Sequence, residues 1–216
     1  MLKKVFLAFV FLGFAFLILF VSILRSASVK YTFSQKNPTI MVESINQNRE
    51  ENGGIVIDYN LAYAGPVLPD SIFWPLKVLR DRVWLVLVYD ISKKAELNLL
   101  FADKRLQAAR ELFSKGESEL AYSTLVRSLG YFKTASDLEI IAREKNYDTL
   151  DLSETIAKAS LKHRQILDEL IDIAPEEIRP KITVIEDTVN EIYKSKSEVI
   201  SSYGKNPPFD PFDGLQ

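Results

Sequence analysis

Few side chains in this sequence can do covalent chemistry. His163 is the single histidine among 216 residues, and cysteine is absent. One imidazole excludes every two-histidine metal motif, His-Glu-x-x-His among them, and makes a Ser-His-Asp triad depend wholly on that residue. The lack of cysteine removes disulfides, thiolate nucleophiles, iron–sulfur clusters and cysteine-ligated zinc together. Carboxylates pair at Glu176 and Glu177, and at Asp187 and Glu191 one helical turn apart. Acid–base work needs such a pair across a cleft, whereas these run along a helix and read as a solvated face. Gly53-Gly54 follows no buried strand and lacks the lysine of a phosphate loop. His163 falls on a helical seam beside Lys162 and Arg164, where a packed or interhelically hydrogen-bonded imidazole is expected. No residue is therefore assigned as catalytic, cofactor-binding or metal-ligating, and the chain is read as not an enzyme, with no cofactor.

The elements that would position any site are helical, and residues 68–115 organise them. Leu68-Pro69-Asp70-Ser71 disfavours helix before the proline and offers side-chain oxygens to a helix start, predicted at about Ile72. Pro75 suits the first turn, where its missing donor has no intrahelical partner. Ile72, Leu76, Leu79 and Val83 recur at helical spacing. Residues 83–89, Val-Trp-Leu-Val-Leu-Val-Tyr, are apolar on every side; a buried strand fits them by composition, but the preceding 3.6 period favours helix. Such an end must be covered by protein or lipid. The expectation is burial in the bundle, with Trp84 against the next helix. That helix, capped by Asp90 or Ser92, carries Ala95, Leu99, Ala102, Leu106, Ala109 and Phe113 in a coiled-coil-like seam and ends at Gly116.

A third helix is predicted over residues 118–145, with Ala121, Leu125, Leu129, Phe132, Ala135 and Leu138 on its apolar face. The short break at Lys115-Gly116-Glu117 makes it antiparallel to its predecessor. A fourth, about residues 152–173, sets Ile156, Ala159, His163, Ile166 and Leu170 on one seam. Pro175-Glu176-Glu177 is a good first turn for a fifth, which Pro180 either bends or truly begins. Ile182, Ile185, Val189, Ile192, Lys196, Val199 and Tyr203 carry it to Gly204. The three prolines of KNPPFDPFDGLQ forbid helix there. The fold class is all-α, an antiparallel bundle of about five helices behind an N-terminal transmembrane helix; the ~34-residue recurrence of a tetratricopeptide array is missing.

A resemblance attaches to the same stretch. Tyr63-Ala64-Gly65, Leu68-Pro69-Asp70, Phe73-Trp74, Leu76-Lys77-Val78-Leu79-Arg80-Asp81, Asp90-Ile91-Ser92-Lys93-Lys94-Ala95-Glu96-Leu97 and Phe101-Ala102-Asp103-Lys104-Arg105-Leu106 stand in an order and spacing that resemble the bacterial domain-of-unknown-function family 5667, most strongly over residues 61–116. Ala64 and Ile91 replace prolines frequent in that family, one residue is added at Pro66-Val67, and a proline is displaced to Pro75. The resemblance implies membrane-anchored or exported helical proteins and brings no catalytic motif.

Composition agrees with one globular domain plus attachments: 47% of residues are hydrophobic and 26% charged. The net charge of −2 and the lack of a basic stripe exclude a nucleic-acid surface. Residues 5–24 form a charge-free run in which 16 positions are Leu, Ile, Val or Phe. As a helix it would span about 30 Å, the thickness of a bilayer's hydrocarbon core. A retained anchor and a cleaved signal peptide both fit, Ser26-Ala27-Ser28 offering a cleavage site; the length of the run favours the anchor. Lys3 and Lys4 against Arg25 and Lys30 give a slight bias towards a cytoplasmic N-terminus. The domain reading is an anchor over 1–25, a flexible linker over 26–59 whose end forms an extended arm on the helices, a helical domain over 60–204 and a disordered Pro-rich tail over 205–216.

Function is read accordingly. The leading expectation is a single-pass membrane-anchored, extracytoplasmic structural or protein-interaction module of the cell envelope, secreted if the N-terminal segment is cleaved. Its partners are then the membrane, through residues 5–24, and a protein. A ligand- or partner-sensing regulatory domain is second, weakened because only four residues precede the apolar run. An envelope hydrolase is third, since nucleophile, base and metal signatures are missing.

Overall fold

The computed structural model describes residues 57–213. The anchor of residues 1–25, Gly53-Gly54 and all but the end of the linker read over 26–59 lie outside the described residues. Among the described residues there are five helices and no strand: α1, Trp74–Leu87; α2, Ile91–Ser114; α3, Ser118–Glu144; α4, Leu150–Ile173; and α5, Arg179–Ser202. None of them is long and apolar enough to cross a membrane.

The four long helices close around one core. α2 packs along α3 and α4 along α5, while α2 also meets α4 and α3 meets α5. Ala95, Leu99, Ala102, Leu106, Ala109 and Phe113 are all buried, as the alternation of small and large residues on the α2 seam predicts. They meet Leu125 and Phe132 of α3, Ile156 and Ile166 of α4, and Ile182 and Val189 of α5. The Asp90 carboxylate accepts from the Lys93 amide at 2.8 Å and caps α2. Gly116, at φ 80°, ends it: the Glu117 amide reaches back to Leu112 and the Gly116 amide to Phe113. Asn146, at φ 61°, ends α3 by the same pair of bonds, Tyr147 to Ala142 and its own amide to Arg143.

The arm before α1 lies on the bundle. Ile57 and Leu61 pack against the main core, Tyr59 is buried, and Ala64 and Leu68 close over Ala108 of α2. α1 begins at Trp74, two residues later than predicted. The Asp70 carboxylate is drawn away to Lys115 Nζ at 2.8 Å, so it does not cap the helix, and the Ser71 hydroxyl accepts from Phe73 N–H instead. Among the helices, α1 meets α2 alone.

The tail differs from the disordered segment expected over 205–216. It is non-helical, as its prolines require, but its described part is fastened to the bundle. The Tyr193 hydroxyl donates to the Pro208 carbonyl at 2.6 Å, and Arg164 donates to the Asp210 carboxylate at 2.7 Å. The Phe212 ring lies 4.7 Å from the same guanidinium and packs on Ala157, Leu161, Tyr193 and Ile200. A buried arginine on α4 needs a carboxylate, and the tail supplies it.

Candidate interaction surface

α1 is built the wrong way round for a helix seated by hydrophobic burial. Leu76, Leu79, Val83 and Val86, with Ile72 in the turn before, form one line at alternating spacings of four and three, and all but the partly buried Val83 are exposed. Ile72 is 86% exposed, and Leu76, Leu79, Val86, Leu87, Phe73 and Tyr63 are each at least half exposed. Tyr89 beyond the helix is 91% exposed. The periodic seam on α1 is thus a surface and not part of the core.

The inward side carries Trp74, Lys77 and Asp81, with Val78, Trp84 and Leu85 partly buried beside them. Trp74 is 7% exposed, and the Arg105 guanidinium of α2 sits 4.4 Å from its ring centroid, with Tyr131 of α3 at 5.9 Å. Arg105 donates to the Asp81 carboxylate at 2.7 Å, and both side chains are fully buried. Arg80 grips the other oxygen of Asp81, also at 2.7 Å. Lys77 donates to the carbonyls of Ala64 and Val67 at 2.5 and 2.8 Å, tying α1 to the arm. Burial, then the charge of Arg105, lowers the Lys77 pKa to about 8. Gly65, at φ 84°, makes the turn around that ammonium in a conformation that side chains rarely adopt.

Two further polar clusters lie inside the bundle. Asp103 of α2 accepts from the Tyr59 hydroxyl and bonds His163 Nε2 of α4, both at 2.8 Å. Phe132 of α3 covers the imidazole at a centroid distance of 4.5 Å. Burial, then the Asp103 charge, raises the Tyr59 pKa well above its ordinary value. Glu139 of α3 pairs with Lys196 of α5 and accepts from Thr149 at 2.7 Å, while Lys196 also donates to the Ser136 carbonyl. Burial pushes the Lys196 pKa down against the pull of Glu139. For Glu139, burial pushes upward, but the bonds from Lys196 and Thr149 outweigh it and hold the carboxyl below its usual value.

These clusters have the geometry of fasteners. His163 is buried and joined to Asp103 across two helices, the interhelical role its seam position predicts. Nearby hydroxyls are used on backbone: Ser128 donates to the Ala102 carbonyl and Ser160 to that of Ile156. Glu176, Glu177, Asp187 and Glu191 are all exposed and converge on no cleft. Among the described residues no three His, Asp or Glu side chains come together as a metal site. Trp84 departs from expectation: it is half-buried under Arg80, whose guanidinium lies 5.4 Å from its ring, and Trp74 takes the buried place. Sequence reasoning gave no role to Asp81, Arg105, Asp103 or Glu139. The available signal was a charged residue at or beside a seam position, as with Lys196 in the α5 pattern and Arg105 next to Leu106.

The motif residues are thereby explained by contact. Lys77 and Asp81 come from Leu76-Lys77-Val78-Leu79-Arg80-Asp81; Asp103 and Arg105 come from Phe101-Ala102-Asp103-Lys104-Arg105-Leu106. Together they fasten the Tyr63-Ala64-Gly65 turn, α1 and α4 to α2. No curated protein and no solved structure matches the chain. A family profile does match, over residues 66–177, which is just over half of the chain and covers α1 to α4. The chain belongs to the family described as Domain of unknown function (DUF5667).

Proposed function

We propose that this chain is a membrane-anchored, extracytoplasmic helical domain acting by contact, as a structural or protein-interaction module of the cell envelope, and not as an enzyme. The observation that carries the reading is a contrast between inside and outside. His163, Lys196 and Arg105, the buried groups with the most chemical potential, are held by Asp103, Glu139 and Asp81. The outstanding surface feature is apolar, the exposed Ile72, Leu76, Leu79 and Val86 along the outer side of α1. Large exposed apolar patches on a folded domain mark interaction sites. Anchoring draws its support from residues 5–24, a charge-free run of bilayer length.

A regulatory reading has one observation of its own. Among the described helices α1 meets only α2, through a cluster of charged groups, so it is the helix whose attachment a ligand or partner would most readily change. Purification of the intact protein from its native membranes, with mass spectrometry of its N-terminus and its companions, tests the main reading. The expected result is a chain that resists alkaline extraction, keeps residues 5–24 and holds a companion that is lost when Leu106→Asp disrupts the core. An N-terminus near Val29 together with alkaline release overturns anchoring. Turnover in a hydrolase screen that Leu106→Asp abolishes overturns the contact-only role.

A further inference from the structure

We propose that the outer face of α1 lies flat on the lipid bilayer and sets the orientation of the four-helix body above it, an inference that rests on the anchored reading above. An amphipathic helix seated by the hydrophobic effect turns its apolar line towards the protein. α1 does the reverse, because Lys77, Asp81 and Trp74 occupy the inward side. Leaving Leu, Ile and Val side chains in water forgoes the hydrophobic gain that a nonpolar environment would give each of them. Something apolar belongs on this face, and four observations select lipid.

The first is charge placement. At about 100° per residue, Arg80 and Arg82 fall about 80° to either side of the line through Leu76, Leu79, Val83 and Val86. At that rim a helix in the membrane interface carries cations whose heads reach phosphate; the exposed Arg82 is placed for this, while the Arg80 head is held on Asp81 and over Trp84. Asp81, between them in sequence, points inward and faces two guanidiniums, so the rim keeps a positive excess. The second is aromatic content at both ends of the helix: Tyr63 and Phe73 before its start and Tyr89 after its end are exposed, rings of the kind that favour the headgroup level.

The third observation is reach. The charge-free run ends at Leu24 and the described residues begin at Ile57. The intervening 32 residues can span at most about 115 Å even when fully extended, so any anchored copy keeps α1 at a high effective concentration of lipid, where even a weak contact is populated. The fourth is size, which argues against a second copy. The line covers two heptads, short of the three or four a stable coiled coil sustains.

The natural absence of cysteine makes the test direct. The full chain carrying Leu79→Cys, and separately Lys133→Cys on the exposed face of α3, is nitroxide-labelled and reconstituted into phosphatidylcholine vesicles containing a quarter phosphatidylglycerol. Power saturation then compares oxygen with a water-soluble nickel complex. The expected result is a label at 79 that collides more with oxygen than with nickel, and a label at 133 with the reverse preference. A nickel preference at 79 overturns the proposal, and if the chain also resists carbonate extraction, anchoring survives it. Spin–spin broadening at 79 that disappears on dilution with unlabelled chain means that a second copy covers the face, and overturns the proposal too. Carbonate release instead overturns anchoring, and the label on the released chain, mixed with the same vesicles, is judged by the same oxygen and nickel preference.

Discussion

Replacing Asp81 with alanine removes the carboxylate that Arg105 and Arg80 share. Arg105 is 1% exposed, so its charge is left buried and unpaired unless α1 moves. Breaking a buried pair from one side costs about 3–5 kcal/mol. Against this, α1 is seated by burial of Trp74, worth roughly 1.5–3 kcal/mol, and by the bonds of a half-buried Lys77, which solvent screening weakens. The penalty therefore matches the seat. Asp81→Ala is expected to lift α1 from the bundle, hydrating Arg105, while α2 to α5 stay folded. The two tryptophans of the chain, Trp74 and Trp84, both lie on α1, so intrinsic emission reports this helix alone. The emission should shift red, with a loss of helical dichroism no larger than the 14 residues of α1 and the main melt nearly unchanged. Arg105→Met should shift it less, because Asp81 keeps Arg80 at 2.7 Å. The double variant Asp81→Leu with Arg105→Met should recover much of the seat. One coincident transition by both probes, displaced to lower temperature, would refute the separability of α1, and unchanged emission would refute the weight given to the ion pair.

Four other perturbations read polar contacts elsewhere in the domain. Folded Lys77 gives up its proton near pH 8 and the unfolded chain near 10.5, so the unfolded state binds more protons between those values. Wild type should gain stability over Lys77→Met as pH rises through that window, by an amount damped by solvent screening; parallel urea midpoints across it would contradict this. Lys196→Met leaves Glu139 buried without its ammonium and should cost about 3–5 kcal/mol in denaturant unfolding. Because Glu139 is held below its unfolded value, its contribution is present above the ordinary glutamate pKa and fades as pH falls through the folded one, so Glu139→Gln should flatten the acid limb of the stability profile. Truncation after Gly204 takes Asp210 and Phe212 from Arg164, leaving Glu186 at 4.0 Å, and exposes the guanidinium to water; a loss of about 1–2 kcal/mol is expected, and an unchanged melting temperature would mean the tail contributes nothing.

The long helices were legible because several local rules agree at each end. Asp90 caps α2, Gly116 and Asn146 adopt the left-handed geometry that stops α2 and α3, and the Ala and Leu alternation of α2 is buried throughout. The fasteners were not legible, since Asp103 bonds a residue 60 positions away and Glu139 one 57 away, and no local spacing announces such partners. The tail was misread for the same reason: proline forbids helix but says nothing about whether a distant Arg164 needs Asp210.

α1 shows a deeper limit of periodicity. The line of Ile72, Leu76, Leu79 and Val83 states which side chains share a face, and the first three do share an exposed one; it carries no information about the medium that the face meets. In α2 the same alternation meets α3 and α4, because the small Ala residues admit their backbones. α1 has no alanine in its line, so close approach of a helix there is obstructed by side chains on every turn. The positions between, Lys77 and Asp81, have fixed partners in the Ala64 to Val67 turn and in Arg105, and these decide the rotation of the helix. A buried ion pair worth several kcal/mol when broken thus overrides the apolar line and presents it outward. A free aqueous domain would gain nothing from that arrangement, whereas a domain held at a bilayer gains a surface that fits it.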